Sequence, residues 1–151
     1  MASDIDNEVS GKRYAVIFGA TSLVGRHLLR RLTEYGFAGL CLSRRAEPAP
    51  CETPPGFSWG TVSEEDGLRV HASATLFSLV PIPALPPLLA RTTGGNRLIA
   101  LSTSSAVYKA RSPDPAERRL AQDTRRAEDE VRRLCEDKGD CLDGLPAHAR
   151  L

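Results

Sequence analysis

The fold is decided by residues 14–25, which read Tyr14-Ala15-Val16-Ile17-Phe18-Gly19-Ala20-Thr21-Ser22-Leu23-Val24-Gly25. The continuous apolar run at its start is typical of a parallel strand that is covered on both faces. Beyond the glycines, apolar residues recur with helical spacing at Val24, Leu28, Leu29 and Leu32. Gly36 is a helix stop, and a second apolar run follows at Leu40–Leu42. The stretch therefore predicts one βαβ unit with a right-handed crossover.

The rest of the chain continues the alternation of strands and helices. Apolar patterning predicts strands at Phe57–Trp59, Thr75–Val80 and Arg97–Leu101, and helices at about 85–90 and 115–138. This alternation indicates an α/β protein with a doubly wound parallel sheet of about five strands, the Rossmann fold, over residues 13–139. Residues 1–12 are polar and are expected to be a disordered lead-in. Residues 140–151 show neither strand nor helix periodicity, although the pattern should next supply a buried strand.

Composition narrows the functional class. The 151 residues carry 20 Lys and Arg against 19 Asp and Glu, a net charge of +1, which argues against a dedicated nucleic-acid binder. No apolar stretch approaches the ~20 residues that span a bilayer, and the acidic start is unlike a signal peptide. The 4 cysteines form no CxxC pair and the 3 histidines share no ligand spacing, so no metal site is indicated. These features predict a soluble cytoplasmic protein with reduced thiols.

The glycine-containing turn is a candidate phosphate site. A helix that begins directly after a buried strand presents backbone N–H groups and the positive end of its dipole to an anion. Gly19 would allow the tight turn and Gly25 the close packing of the helix, while Ser22 stands where dinucleotide-binding loops usually have another glycine. The alternative is a strand–helix turn that binds no ligand. The predicted cofactor-binding residues here are Gly19, Thr21, Ser22, Leu23, Val24 and Gly25.

The end of the second strand indicates which dinucleotide would bind. An acidic residue at this place accepts hydrogen bonds from an adenosine ribose and repels a 2′-phosphate. This chain instead has Ser43-Arg44-Arg45, and a guanidinium group can form a bidentate pair with a phosphate. NADP(H) is therefore predicted in preference to NAD(H). The alternative is that both arginines are ordinary solvated charges.

These segments together resemble the short-chain dehydrogenase/reductase superfamily, in its extended or atypical, NAD-dependent epimerase/dehydratase-like branch. The resemblance covers about residues 12–139 and rests on three pieces: residues 19–25, Ser43-Arg44-Arg45, and the serine-rich stretch 98–108, which ends in Val107-Tyr108. It implies a nicotinamide-dinucleotide-binding domain. It also implies oxidoreductase or epimerase chemistry on a small-molecule substrate that carries a carbonyl or hydroxyl group.

The resemblance extends only in part to the family's catalytic residues. Ser104 lies four residues before Tyr108, where the family's catalytic serine falls. The alternative is that residues 102–105 form a loop whose side chains satisfy its own backbone. Aligning the family's Tyr-x-x-x-Lys-x-x-x-Glu segment on Glu130 places Gln122 at the tyrosine and Arg126 at the lysine. Glutamine has no titratable proton and cannot replace tyrosine as the general acid and base. Adjacent residues on an extended segment point to opposite faces, so Tyr108 and Lys109 are not expected to form a substitute pair.

The chain is shorter than extended members of the family, which add a C-terminal substrate-binding part. Residues 140–151 are expected to be either a natural end or the product of a one-base frameshift, since a shifted reading under plausible codons resembles the family's next strand. A sheet that stops at the strand 97–101 would expose an apolar edge, which predicts self-association. The sequence thus predicts an NADP(H)-binding domain that is inactive as an isolated fragment. The alternatives are a non-catalytic nucleotide-binding interaction domain and an unstable product without a function.

Overall fold

The computed structural model describes residues 13–44, 53–61 and 67–138. The predictions for the lead-in 1–12, for Arg45 and for the tail 140–151 lie outside these residues. The strands are β1 (Arg13–Phe18), β2 (Phe37–Ser43), β3 (Phe57–Thr61), β4 (Leu68–Arg69), β5 (Thr75–Ser78), β6 (Thr92–Thr93) and β7 (Arg97–Ala100). The helices are α1 (Leu23–Glu34), α2 (Leu85–Ala90), α3 (Ser105–Tyr108) and α4 (Pro115–Asp137), with 3-10 turns at Ile82–Ala84 and Lys109–Arg111.

The main sheet has five strands in the order β3-β2-β1-β5-β7, and every neighbouring pair is parallel. The short strands β4 and β6 form a separate parallel pair. The predicted doubly wound parallel sheet is therefore confirmed. Strand β2 begins earlier than the apolar run at Leu40 indicated, because Gly39 fits closely against β1: a Cβ there would lie 1.8 Å from the carbonyl oxygen of Ala15. A residue with a side chain would push the two strands apart at this point, so glycine permits the contact here.

Helices cover both faces of the sheet. Successive strand residues point to opposite faces, and apolar residues on each face pack against helices. On one face, Ala15 and Ile17 of β1 pack in a buried cluster with Leu29 and Leu32 of α1. The opposite face packs against α2 and α4 in a second cluster that includes Val16, Phe18, Leu76, Leu85, Leu89, Leu98, Ala127 and Val131. A sheet buried on both sides accounts for the uninterrupted apolar run of β1.

The face that carries α1 is only half covered. Neighbouring positions on β1, β5 and β7 are occupied by Ile17, Phe77 and Ile99. The exposed fraction of these side chains rises from 0% for Ile17 on β1 to 38% for Ile99 on the edge strand β7. Leu101, just beyond β7, is 49% exposed. Among the described residues, β7 pairs with β5 alone. The part of the chain that the structure covers thus leaves an apolar half-face and a strand edge open to solvent.

The segment after β7 corrects one sequence expectation. Tyr108 and Lys109 were predicted on an extended segment, whereas the structure places them at the end of α3 and the start of the following 3-10 turn. The Thr103 hydroxyl accepts a hydrogen bond from the Ser105 N–H (3.2 Å), and the Ser104 carbonyl accepts one from the Val107 N–H (2.9 Å). Local hydroxyl bonds of this kind start a turn, which here leads into α3.

None of the helices in the described ranges combines the length and apolar character needed to cross a membrane.

Candidate functional site

The loop between β1 and α1 is held at the carboxyl edge of the sheet by its two neighbouring strands. Gly19 has a φ of +81°, in the left-handed region that glycine tolerates best. Its N–H donates to the carbonyl of Leu42 at the end of β2 (3.1 Å). On the other side, the Leu79 N–H donates to the carbonyl of Phe18 (2.9 Å). The backbone of the loop is therefore fixed between β2 and β5 and does not depend on its own side chains for its position.

Ser22 is the N-cap of α1. Its hydroxyl accepts a hydrogen bond from the Gly25 N–H (3.0 Å), and its carbonyl accepts one from the Arg26 N–H (3.1 Å). Its φ of −66° is an ordinary value, so the backbone does not require glycine at this position. The first N–H groups of a helix have no intrahelical acceptor, which leaves those of Leu23 and Val24 for an external anion. The serine that departs from the usual glycine pattern thus has a structural role at the same helix end.

Gly25 provides the close contact that the sequence predicted. A Cβ at this position would lie 2.3 Å from the carbonyl oxygen of Ala20, a distance that real Cβ atoms do not reach. The first turn of α1 therefore packs against the loop backbone only because residue 25 has no side chain. Leu23 and Val24, by contrast, are 75% and 52% exposed. The start of the helix is therefore open to solvent.

The end of β2 lies beside this loop. Gly19 bonds to Leu42, so the next residue, Ser43, follows directly at the same edge, where it is buried, while Arg44 is exposed. The structure therefore brings Ser43 and Arg44 to the glycine loop, as predicted from the βαβ pattern. Arg45 belongs to the segment outside the described residues.

The serine-rich segment after β7 reaches the same edge, with β5 between it and the glycine loop. The Leu101 N–H donates to the carbonyl of Ser78 (3.0 Å), which anchors the segment to the end of β5. Three of its hydroxyl side chains have partners: Ser102 donates to the carboxylate of Glu128, and Thr103 donates to Ser105 (3.0 Å). Ser104 is exposed, and its hydroxyl bonds to none of the described residues. Of this group, Ser104 is the hydroxyl left available to a ligand.

Helix α4 carries the residues aligned with the family's tyrosine and lysine. Gln122 and Arg126 are both exposed, and their spacing of four residues places them on one face of the helix. Tyr108 is 77% exposed. Lys109 forms an ion pair with Glu117 (3.1 Å), and the pKa of Glu117 is lowered first by a hydrogen bond from Ser112 and then by Lys109. Lys109 is thus engaged with a carboxylate of α4. That Tyr108 and Lys109 do not form a substitute catalytic pair stays a prediction.

Ser78 is a feature that the sequence did not indicate. It is the last residue of β5, it is only 1% exposed, and its hydroxyl has no hydrogen-bond partner among the residues that the structure describes. A buried hydroxyl without a partner costs about 1–3 kcal/mol. The residues missed from sequence therefore include Ser22 as a helix cap, for which the N-cap preference was an available signal, and Ser78, for which there was none.

Within the described ranges, no group of three or more His, Cys, Asp or Glu side chains is arranged to hold a metal ion.

Comparison with known proteins supports the fold. No family model matches the chain, and no curated protein matches its sequence. Among solved structures, vestitone reductase from alfalfa (Medicago sativa) is similar with a TM-score of 0.64 and 15% sequence identity, over 87% of this chain and 55% of that one. A UDP-galactose 4-epimerase is similar with a TM-score of 0.61 and 16% identity, over 85% of this chain and 54% of that one.

The chain thus spans about half the length of these solved structures. Likeness at such low identity concerns the path of the backbone. What the chain shares with this reductase and this epimerase is the parallel, doubly wound Rossmann fold.

Proposed function

We propose that this chain is the NADP(H)-binding Rossmann domain of an atypical, epimerase/dehydratase-like short-chain dehydrogenase/reductase. The observation that carries the proposal is the helix end built at residues 19–25. There, the left-handed Gly19, the Ser22 cap and the contact of Gly25 with Ala20 leave the first amides of α1 directed outward. Such an end stabilises a phosphate through its N–H groups and the helix dipole. The similarity to a reductase and an epimerase agrees with this assignment.

The residues of the loop would hold the pyrophosphate. The amides of Leu23 and Val24 donate to it, and Thr21 and Ser22 line the turn that leads to them. Arg44, at the end of β2, would form a bidentate pair with a 2′-phosphate, aided by Arg45 and by the neighbouring Ser43. A carboxylate is absent from the described end of β2, Leu42 to Arg44, so nothing there repels that phosphate. NADP(H) is therefore the preferred cofactor and NAD(H) the weaker one.

Bound NADP(H) would supply a hydride donor or acceptor for a carbonyl or hydroxyl carbon. Ser104 would orient the substrate oxygen by donating a hydrogen bond from its exposed hydroxyl. Gln122 can also donate a hydrogen bond, but it transfers no proton at neutral pH. With glutamine and Arg126 where tyrosine and lysine act in the family, we expect this chain alone to show no turnover.

A second candidate function is a non-catalytic nucleotide-binding domain that recognises another polypeptide. Two observations together favour it. Gln122 and Arg126 stand on α4 where the family has tyrosine and lysine, and an apolar half-face over β5 and β7 is open to solvent. Turnover of a carbonyl substrate in the presence of NADPH would reject this alternative.

Self-association through the open half-face stays a prediction, with a second copy of the chain as the partner. Ile99 on β7 and Leu101 just after it are exposed apolar residues. In the described sheet, the outer edge of β7 pairs with no other strand, so its backbone N–H and C=O groups are available to a strand of a second copy. Leu101→Glu should shift the chain to a monomer in light scattering after size-exclusion chromatography. Leu120→Glu is the matched control, since Leu120 is 47% exposed on α4. A monomeric parent, or equal effects of the two variants, would contradict the prediction.

The cofactor proposal is tested by thermal melts with NADPH and with NADH. A ligand that binds only the folded state stabilises it by about 2.7 kcal/mol at a hundred times its dissociation constant. We expect a larger shift with NADPH, and we expect Arg44→Gln to bring that shift down to the level seen with NADH. Arg30→Gln, which removes an exposed arginine from α1, is the matched control and should leave both shifts unchanged. A cooperative melt whose midpoint neither cofactor raises would overturn the proposal.

That the protein resides in the cytoplasm stays a prediction.

A further inference from the structure

A cavity of about 520 Å³ lies at the amino edge of the main sheet, opposite the glycine loop. Four of its lining residues are the first residues of neighbouring parallel strands: Phe37 of β2, Arg13 of β1, Thr75 of β5 and Arg97 of β7. The remaining lining residues are Tyr14, Ser73 and Asn96. Five residue steps along β1 separate this edge from the other, roughly 17 Å at the usual rise of a strand. The cavity is therefore a separate place from the proposed dinucleotide site.

The described residues that line this cavity carry charges of one sign: two guanidinium groups and no acidic side chain. Arg97 is exposed and has no ion-pair or hydrogen-bond partner among the described residues. Neutral donors line the cavity as well: Thr75 begins β5, which lies between the strands of the two arginines, and Asn96 directly precedes Arg97. Guanidinium groups beside neutral donors recognise phosphate and carboxylate oxygens.

Arg13 is held in place before any ligand arrives. Its guanidinium donates to the carbonyl of Tyr35 (2.8 Å) and lies over the ring of Phe37, 4.8 Å from the ring centroid. A side chain ordered in this way loses little further entropy when it binds an anion. The hydrogen bond uses one of the five N–H groups of the guanidinium, so others remain for a ligand.

The aromatic walls extend the recognition beyond a bare ion. Phe37 and Tyr14 both line the cavity, and its volume falls within the 300–1,000 Å³ typical of small-molecule sites. Burial, and to a smaller extent the nearby Cys41, raises the pKa of Tyr14, so its phenol stays protonated and able to donate. A ring or another flat apolar body would be covered by these walls while its anionic group meets the arginines.

We propose that the amino-edge cavity is a second binding site, for a small organic anion that carries a phosphate or carboxylate group on a ring-sized body. Arg97 and Arg13 pair with the anionic group, Asn96 and Thr75 donate to its remaining oxygens, and Phe37 and Tyr14 cover the body. The site does not depend on the cofactor proposal, because it uses none of the residues at the carboxyl edge.

The test is a titration of the isotope-labelled full chain, followed by the backbone amide signals in two-dimensional NMR spectra. The probes are phenyl phosphate, benzoate and inorganic phosphate, each at an ionic strength matched with sodium chloride. We expect saturable shifts at Arg13, Ser73, Asn96 and Arg97 with phenyl phosphate and benzoate, and at least tenfold weaker binding of inorganic phosphate. The amides of residues 19–25 should not shift in parallel with them. Linear shifts without saturation, or shifts confined to the glycine loop, would overturn the proposal.

Matched variants separate a built site from general charge attraction. Arg97→Gln should weaken phenyl phosphate at least tenfold, whereas Arg125→Gln, which removes an exposed arginine from α4, should leave it unchanged. Equal weakening by the two variants would overturn the proposal. Arg97→Lys keeps the charge without the planar fork and should bind with an intermediate affinity, which keeps the test open if Arg97→Gln does not fold. The response of the melting temperature to NADPH should be the same in Arg97→Gln as in the parent.

Discussion

The two edges of the same sheet are built from different parts of the chain. At the carboxyl edge, the backbone makes the site: the φ of Gly19, the capped start of α1 and the close contact of Gly25 with Ala20. At the amino edge, side chains make the cavity, with Arg13 and Arg97 as its charges and Phe37 as a wall. The site proposed at the carboxyl edge would hold the pyrophosphate through peptide amides, which every residue except proline carries. The site proposed at the amino edge would bind through side-chain groups that only particular residues carry.

This difference determines how each edge responds to substitution. A backbone site fails when a side chain is added where none fits, and it tolerates changes of exposed side chains that do not themselves contact the ligand, as Arg44 is proposed to do. A side-chain site fails when a charged group is removed, even though the fold remains intact. The comparison therefore predicts which variants affect stability, which affect binding, and which affect both.

The largest effect is expected from Gly25→Ala at the carboxyl edge. The added Cβ would lie 2.3 Å from the Ala20 carbonyl oxygen, so α1 must move away from the loop. Overpacking of this kind costs about 1–3 kcal/mol, more than the gain in helix propensity returns. Urea unfolding should show this loss, and the stabilisation by NADPH should disappear. Gly67→Ala is the control, since a Cβ there meets only ordinary contact at 3.4 Å. If Gly25→Ala is stabilised by NADPH as much as the parent, the carboxyl-edge site does not depend on the close contact of Gly25 with Ala20.

Arg13→Ala should have a smaller effect on stability and a clear effect on binding at the amino edge. It removes the hydrogen bond to the Tyr35 carbonyl and the contact with the Phe37 ring, together about 1 kcal/mol at an exposed position. Binding of phenyl phosphate should weaken while the response to NADPH stays as in the parent. The control is Arg69→Ala, another exposed strand arginine. Loss of NADPH binding in Arg13→Ala would show that the two edges are not independent.

Substitutions of Ser22 sharpen the description of the backbone site. Ser22→Ala removes the cap of the Gly25 N–H and should cost about 1 kcal/mol, whereas Ser22→Gly should cost a few tenths. Because glycine also opens the approach to the freed Gly25 amide, Ser22→Gly should bind NADPH at least as tightly as the parent. Chemical unfolding and cofactor titration of both variants measure this. Weaker NADPH binding by Ser22→Gly would mean that the hydroxyl itself contacts the ligand.

The smallest effect is expected at the end of β5. Ser78→Ala removes a buried hydroxyl that has no partner, and it should leave the free energy of unfolding unchanged or raise it by up to about 1 kcal/mol. Ser58→Ala, at an exposed position of β3, is the control and should be neutral. A clear loss of stability in Ser78→Ala would mean that the hydroxyl is satisfied in solution.

Prediction from sequence succeeded where the signal was local. The run Tyr14–Phe18, the glycines after it and the helical spacing of Leu29 and Leu32 lie close together, so periodicity and turn chemistry were enough to place β1, α1 and β2. It was wrong at Tyr108 and Lys109, because Thr103 and Ser104 accept hydrogen bonds from the backbone N–H groups of the following residues, which form a short helix instead of an extended segment. The start of β2 was placed too late, because nothing in the sequence showed that Gly39 lies against Ala15.

The sequence by itself determined the alternation of strands and helices and the candidate phosphate loop, because both are written in neighbouring residues. Only the tertiary structure decided that Ser22 caps α1 instead of facing away from it, that the hydroxyl of Ser78 is buried without a partner, and that Ile99 and Leu101 are left uncovered. It alone also brought Arg13 and Arg97 to one cavity. The physical reason is that parallel strands align their ends through long crossovers, so residues far apart in sequence meet at one edge in a way that no local pattern records.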